Sequence, residues 1–489
     1  MLDALLINGR WTRGRGDCLL STNPATEAHL WQGQSASSQD VYDAVEAALR
    51  VQDSWGRAPL SERVEILLRY QQKLQENEEL LAQTIMQESG KALWDSRGEA
   101  KAMAAKVGLS LQAQEERSRK EDDALNQEVH RTVDYRPLGL CAVLGPFNFP
   151  GHLPNGQIVP ALLAGNCVLF KPSEKTPKVG QLMSQLLHES GLPPGVFSYL
   201  PGGRETGEAI LDQKALRALF FTGSAQTGKL IHRRLAGRPE VQLALEMGGN
   251  NPLIVDDSLP ETEALYQIMQ SAFVTAGQRC TCARRLLLPN SAYGRELLEA
   301  LITSVKKLRI AAPDAVEQPY YGTVIDRASK DNLLNAQEKL LASGARTFLK
   351  MKSLDDGLPY LSPGILDMTQ HSQIFDEEIF GPLLQVYFYD DFESAVSLAN
   401  QTAYGLSAGL LSLDETKWQS FQQQIRAGVV NWNRPLTGAS GASPFGGCGL
   451  SGNYHPGAYY TVDSCQWPMA GLQSSELLMP EPLPEGMIL

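Results

Sequence analysis

The sequence predicts an α/β protein built on two parallel sheets, and three observations lead there. From Leu140 onward, short apolar runs (LCAVL, NCVLF, FSYLP, RALFF, LALEM) alternate with helical patterns near 155 to 164, 176 to 190, 205 to 213 and 227 to 236. Runs that are apolar at nearly every residue suit strands covered on both faces, as in parallel sheets. A second block repeats the pattern, with NPLIV, a helix over 261 to 276, RRLLLP, a helix over 294 to 307, then LLQVYFY, LSAGLL and GVVNWN. Finally, 489 residues with 43% hydrophobic and 20% charged side chains are enough for two or three domains with sizeable cores, which need neither disulfides nor metal to fold.

Ahead of the first block, residues 38 to 118 are rich in Ala, Leu, Glu, Gln and Arg at helical spacing, with Val64, Leu67, Leu68 and Leu74 as an example. They read as several amphipathic helices. The polar stretch EVHRTVDYR before Pro137 alternates like an exposed hairpin. After Gly457 the chain is aromatic before it turns Pro/Glu-rich. Such a tail needs cover, from a second subunit or from its own domain.

Composition excludes several classes. A formal charge of −12 argues against a nucleic-acid binder, which would carry a basic stripe. The longest apolar stretch, Ile158 to Phe170, is 13 residues and contains Asn166, too short for the roughly 20 residues of a membrane span. The opening MLDALLINGRW has no basic start followed by a long apolar core, so no secretory signal is expected. Seven cysteines without a CxxC pair, and histidines without HxxxH or HExxH spacing, favour a cytoplasmic protein with no metal site.

Several constellations have chemical meaning. RALFFTGSAQTGKL, 217 to 230, is a strand running into a glycine turn that opens a helix, an anion site in outline, where Gly223 and Gly228 allow close approach. A P-loop needs a Ser or Thr after Lys229, and Leu230 stands there; an ordinary tight turn is the plain alternative. Cys280 lies in TAGQRCTCARR beside Arg279, Arg284 and Arg285, whose charges are expected to lower a thiol that normally titrates at about 8.5. Taken alone, a cysteine is more often a small buried apolar residue. Glu246, at the end of LALEM, is placed for general-base work in a crevice, with a salt bridge or cap as the alternative. Asn148 sits in a loop held by Pro146 and Pro150, suited to donate to an oxyanion or simply to make a turn. Lys171 and Glu174 in KPSEKTP could flank a ribose, or form a solvated loop.

In this order and spacing, GPFNFP, KPSEKTP, FFTGSAQTG, LEMGGNNP, GQRC, EEIFGP and PFGG closely resemble the aldehyde dehydrogenase superfamily over nearly the whole chain. The resemblance implies Cys280 as nucleophile, Glu246 as general base and Asn148 as oxyanion donor. It implies a dinucleotide site with Lys171 and Glu174 on the adenosine ribose, the turn Gly223, Ser224, Ala225, Gln226, Thr227 and Gly228 at the pyrophosphate, and Glu378 and Phe380 at the nicotinamide ribose and ring. Glu174 favours NAD over NADP, because a 2′-phosphate would meet a carboxylate. The implied domains are an NAD-binding unit over 1–117 and 137–248, a catalytic unit over 249–445, and an oligomerisation segment over 118–136 and 458–489 that makes a homodimer. Within the superfamily, GQRCTCARRLL and NRPLTGAS…SPFGGCGLSGNYHPGAYY look most like the branch acting on a dicarboxylic semialdehyde of bacterial arginine degradation. Such an anionic aldehyde calls for cations near the site, and Arg279 and Arg434 are the candidates. Another small anionic aldehyde is the alternative substrate, and a P-loop-like NTPase the alternative of a different class.

Overall fold

The computed structural model describes residues 3–126, 128–370 and 375–489. Gln127 of the expected 118–136 hairpin, residues 371–374 of the expected catalytic unit and the first two residues lie outside the described residues. Two seven-stranded sheets, each covered by helices, form the body, so the expected α/β class holds.

The first sheet runs Gln242–Met247, Leu216–Gly223, Leu140–Leu144, Cys167–Lys171, Phe197–Tyr199, Leu5–Ile7, Arg10–Thr12. Its first five strands are parallel, and the N-terminal hairpin closes the edge antiparallel. Numbered along the chain, the parallel strands lie in the order 5-4-1-2-3, so the direction of winding reverses between Leu140–Leu144 and Leu216–Gly223. A crevice opens at such a reversal, beyond the C-terminal ends of the strands. Leu140–Leu144 and Cys167–Lys171 are buried at every residue, which explains why their sequences are apolar without alternation.

The second sheet runs Arg346–Leu349, Gly364–Asp367, Leu383–Tyr389, Ala283–Pro289, Asn251–Val255, Ser407–Leu411, Val429–Trp432, parallel except at the Arg346–Leu349 edge. Each sheet has its own apolar core.

Residues 38 to 118 form the four helices Ser38–Arg57, Leu60–Glu76, Glu78–Ser89 and Leu93–Arg117. Ser37 starts the first with a capping box to Asp40, an arrangement that typically contributes about 1 kcal/mol. The helix expected over 261 to 276 stops at Ala272. Beyond it Thr275 and Ala276 turn left-handed, at φ 57° and 54°, followed by Gly277 at φ 70°.

The expected hairpin is present as Glu121–Ala124 with His130–Pro137, and the C-terminal strand Gln466–Gln473 of the same chain joins it to make a three-stranded sheet. The aromatic tail is partly covered from within: Tyr459 packs with Ala113 and Val462, and Arg117 stacks on Tyr460. Just upstream, Asn453 imitates a strand. Its Oδ1 accepts from the Leu245 amide at 2.9 Å and its Nδ2 donates to Leu243 O at 2.6 Å. Gly452 bridges Glu246, so the segment PFGGCGLSGN seals the outer edge of the first sheet beside the general-base candidate.

Candidate active site

One cleft of about 1420 Å³ lies between the two sheets. The first sheet presents the C-terminal ends of its strands there: Leu144, Lys171 and Gly223 are terminal residues and Glu246 is penultimate. The second sheet presents the opposite ends, since Cys280 precedes Ala283–Pro289 and Glu378 and Phe380 precede Leu383–Tyr389. Cys280, Glu246, Asn148, Lys171, Glu174, Glu378 and Phe380 all line this one cleft.

The cysteine end is tightly built. Asn148 Nδ2 donates to Gln278 O at 3.0 Å, which places the amide against the loop that carries Cys280. The Cys280 carbonyl accepts from Asn251 Nδ2 at 2.7 Å, fixing the nucleophile's backbone from the adjoining strand. Holding Thr275 and Ala276 left-handed costs about 1–2 kcal/mol each, so contacts around the loop must maintain it. Those contacts are visible: Thr275 Oγ1 donates to Asp95 Oδ2 at 2.6 Å and Arg279 pairs with Asp95 at 2.7 Å.

That pairing corrects the expected activation of the thiol. Arg279 is committed to Asp95 and does not line the cleft. Arg284 donates to the carbonyls of Gly277, Gly381 and Arg279, and Arg285 to those of Asn250, Leu398 and Ala399. Burial pushes the Cys280 thiol up to about 12, Glu378 and Glu246 push the same way, and Arg284 offsets them only in part. Adjacency in sequence suggests activation by three arginines; in the fold Arg279 is held by Asp95 and Thr275, and Arg284 and Arg285 hold backbone.

Glu246 is also raised, to about 7, by burial, with Lys106 drawing it back. Lys106 is buried on the helix Leu93–Arg117, its Nζ has no hydrogen-bond partner among the described residues, and burial lowers it to about 8 while Glu246 holds it up. The Glu246 carboxyl rests on Gly457, where an added Cβ would lie 1.8 Å from Oε1. Glu378 is likewise raised to about 7 by burial, against the pull of Arg284 and the Gly249 amide. Its carboxyl occupies the space a Cβ on Gly248 would need, at 1.8 Å. Burial raises the thiol well above Glu246, so the proton stays on sulfur rather than passing to the carboxylate in this state. The resting thiol is therefore neutral.

The other end suits a dinucleotide. Ser224 caps the helix Ala225–Leu235, and the first amides of any helix have no acceptor within it. Gly223, Ser224, Gln226 and Thr227 line the cleft, whereas Ala225 and Gly228 do not. Gly228 instead makes room for Met247, whose Sδ would lie 2.2 Å from an added Cβ. Lys171 Nζ donates to Pro172 O and Gly202 O at 2.9 and 2.8 Å and lies 4.0 Å from Glu174, so an ordered cation and an acceptor sit side by side. Phe380 meets Phe147 edge to face at 5.8 Å. Lys229 does not line the cleft, which leaves a P-loop reading without its phosphate lysine. Arg434 is exposed, does not line the cleft, and has no hydrogen bond or ion pair among the described residues.

Sequence reasoning missed Asp95, Glu99, Lys106 and Gly457. Only the Asp95/Glu99 spacing, one turn apart on the buried stripe of the helix Leu93–Arg117, offers any signal.

The model of the aldehyde dehydrogenase family matches residues 11–466, and the chain belongs to that family. Among curated relatives, the N-succinylglutamate 5-semialdehyde dehydrogenase of Paraburkholderia xenovorans is 46% identical over 99% of this chain and 100% of its own length. That of Hahella chejuensis is 47% identical, covering 100% and 99%. Among solved structures, a 1-pyrroline-5-carboxylate dehydrogenase from Thermus with bound NAD superposes with a TM-score of 0.90 at 27% identity, covering 96% of this chain and 92% of that one. An NADP-dependent glyceraldehyde-3-phosphate dehydrogenase from Bacillus halodurans, complexed with NADP, gives 0.90 at 27%, covering 97% and 99%. The chain is thus an aldehyde dehydrogenase of the NAD(P)-linked kind.

Proposed function

We propose that this enzyme oxidises N-succinyl-L-glutamate 5-semialdehyde to N-succinyl-L-glutamate with NAD, through a thiohemiacetal and a thioester on Cys280. The observation that carries the chemistry is the single cleft joining Cys280, Asn148 and Glu246 to the dinucleotide residues. Likeness of 46% and 47% over full length to enzymes named for that semialdehyde supports the substrate.

NAD, when held by these residues, would supply the hydride acceptor and a positive charge near the thiol that Arg279, paired with Asp95, and Arg284 and Arg285, bonded to backbone carbonyls, do not. Cys280 gives its proton to water in the cleft and attacks the aldehyde carbon, the new S–C bond forming as the carbonyl π electrons move onto oxygen. The Asn148 amide turns from Gln278 O to the new oxyanion, joined by the Cys280 backbone amide. After hydride loss, Glu246 in its ionised form takes a proton from water, and that water hydrolyses the thioester. With Glu246 raised to about 7 by burial, the base is substantially deprotonated near neutrality, and Lys106 keeps it from rising further.

Lys171 and Glu174 take the adenosine ribose, Gly223, Ser224, Gln226 and Thr227 face the pyrophosphate, and Glu378 and Phe380 place the nicotinamide end. Glu174, half exposed beside Lys171, repels a 2′-phosphate and selects NAD. The first sheet with its helices, 1–117 and 137–248, serves as the nucleotide unit, and 249–445 as the catalytic unit. Arg434 reaches from outside the cleft lining to the remote carboxylates, while Arg279, the other expected candidate, is held by Asp95. The arm of 118–136 and 458–489 joins two copies, with Trp467, Met469 and Leu472 exposed on it. Seven unpaired cysteines fit a reducing cytoplasm.

NADH formation at 340 nm with a panel of neutral and dicarboxylic aldehydes tests the reading. The dicarboxylic semialdehyde should give the highest kcat/KM, and preference for a short neutral aldehyde would contradict it.

A further inference from the structure

We propose that Asp95 and Glu99, one turn apart on the helix Leu93–Arg117, are positioning residues that lock the nucleophile loop and the oxyanion loop to one rigid element, setting Cys280 and Asn148 in register. Neither carboxylate lines the cleft, so neither touches substrate or cofactor. Asp95 works through the nucleophile loop: its Oδ1 pairs with Arg279 Nη2 at 2.7 Å, its Oδ2 accepts from Thr275 Oγ1 at 2.6 Å, and Arg279 Nε closes the triangle on Thr275 Oγ1 at 2.8 Å. Thr275 is one of the two left-handed residues that bend the chain toward Cys280, so the triangle holds the strained turn in place.

Glu99 works through the other loop. Its Oε1 accepts from the amides of Gly151 at 3.0 Å and His152 at 3.1 Å, just beyond Asn148. Its Oε2 pairs with Lys91 at 2.5 Å, and the two side chains are almost fully buried. The halves then meet on one ring: Lys91 Nζ lies 3.6 Å and the Arg279 guanidinium 5.2 Å from the centroid of Phe149, the neighbour of Asn148. Buried carboxylates with every near partner satisfied make a stiff joint, because moving one loop alone would strand a charge. A displacement of about 1 Å at a reacting centre can cost a hundredfold in rate.

The proposal rests on Cys280 as nucleophile and Asn148 as oxyanion donor. If that assignment fails, Cys280→Ala retains turnover; if only this inference fails, Cys280→Ala is dead while Asp95→Asn reacts at the wild-type rate. The experiment is single-turnover NADH formation with the holoenzyme in excess over N-succinyl-L-glutamate 5-semialdehyde, for wild type, Asp95→Asn, Glu99→Gln and the double variant. At saturating enzyme the amplitude is fixed by the limiting substrate, and the rate constant reports positioning, which loss of part of the folded enzyme would not move. We expect rate constants at least about tenfold lower in each single variant, the double variant no slower than the worse single one, and the Kd for NAD within twofold of wild type. Rate constants within threefold of wild type in the single variants, or losses that multiply in the double variant, overturn the proposal. Should a single variant fail to fold, Asp95→Asn/Arg279→Gln and Glu99→Gln/Lys91→Met, which leave no lone buried charge, replace it under the same criteria.

Discussion

Gly457 gives the sharpest handle on the general base. An alanine Cβ there would lie 1.8 Å from Glu246 Oε1 and 2.9 Å from its Cδ, whereas real Cβ contacts are never under 3.0 Å. The carboxyl must therefore retreat by about 1.2 Å, the difference between those distances. Being the end of a flexible side chain, it can do so without unfolding the protein. A retreat of that size should lower thioester hydrolysis by about a hundredfold, or roughly 2.7 kcal/mol. Acylation and hydride loss do not use the displaced carboxylate, so single-turnover NADH formation should stay within about threefold. The assay pairs that single turnover with steady-state NADH production in Gly457→Ala, using Gly237→Ala as control because an added Cβ there meets nothing within 4 Å. If the steady-state rate of Gly457→Ala matches wild type, or if both phases fall together, Glu246 does not act from the position seen here.

Other consequences are as concrete. Steady-state hydrolysis should rise with pH through about 7, because Glu246 is protonated and inert below its raised pKa. Lys106→Met, which removes the cation that draws that pKa down, should move the limb to higher pH; an unmoved profile would discount the coupling. The enzyme should prefer NAD to NADP by at least about tenfold in kcat/KM, about 1.4 kcal/mol, and Glu174→Ser should narrow the gap; equal use by the wild type would refute this. Arg434→Ala should raise KM for the dicarboxylic semialdehyde by about tenfold or more while a short neutral aldehyde changes only a few-fold, and equal losses for both would make the arginine structural.

The architecture was readable where burial on both faces of a strand forced unbroken apolar runs, as in LCAVL and NCVLF. It was less readable where conformation depends on tertiary contacts. Nothing in the residues Thr275 and Ala276 announces a left-handed turn, so the pattern reads as helix four residues beyond Ala272. Arg279, Arg284 and Arg285 stand next to Cys280 in the chain, yet sequence proximity carries no direction. Their partners are Asp95, 184 residues away, and backbone carbonyls. The pairing of Gln466–Gln473 with His130–Pro137 and the strand-like use of Asn453 join segments hundreds of residues apart, beyond any local pattern.

The central claim is that Cys280 carries the acyl group of the dicarboxylic semialdehyde until Glu246 releases it. Glu246→Gln incubated with NAD and N-succinyl-L-glutamate 5-semialdehyde, then digested and mapped by mass spectrometry, tests this directly. The account predicts an N-succinylglutamyl thioester on the peptide bearing Cys280, formed in step with one equivalent of NADH and located on Cys280 rather than Cys282. NADH released from a variant whose Cys280 remains unmodified, or an acyl group on any other side chain, would contradict it.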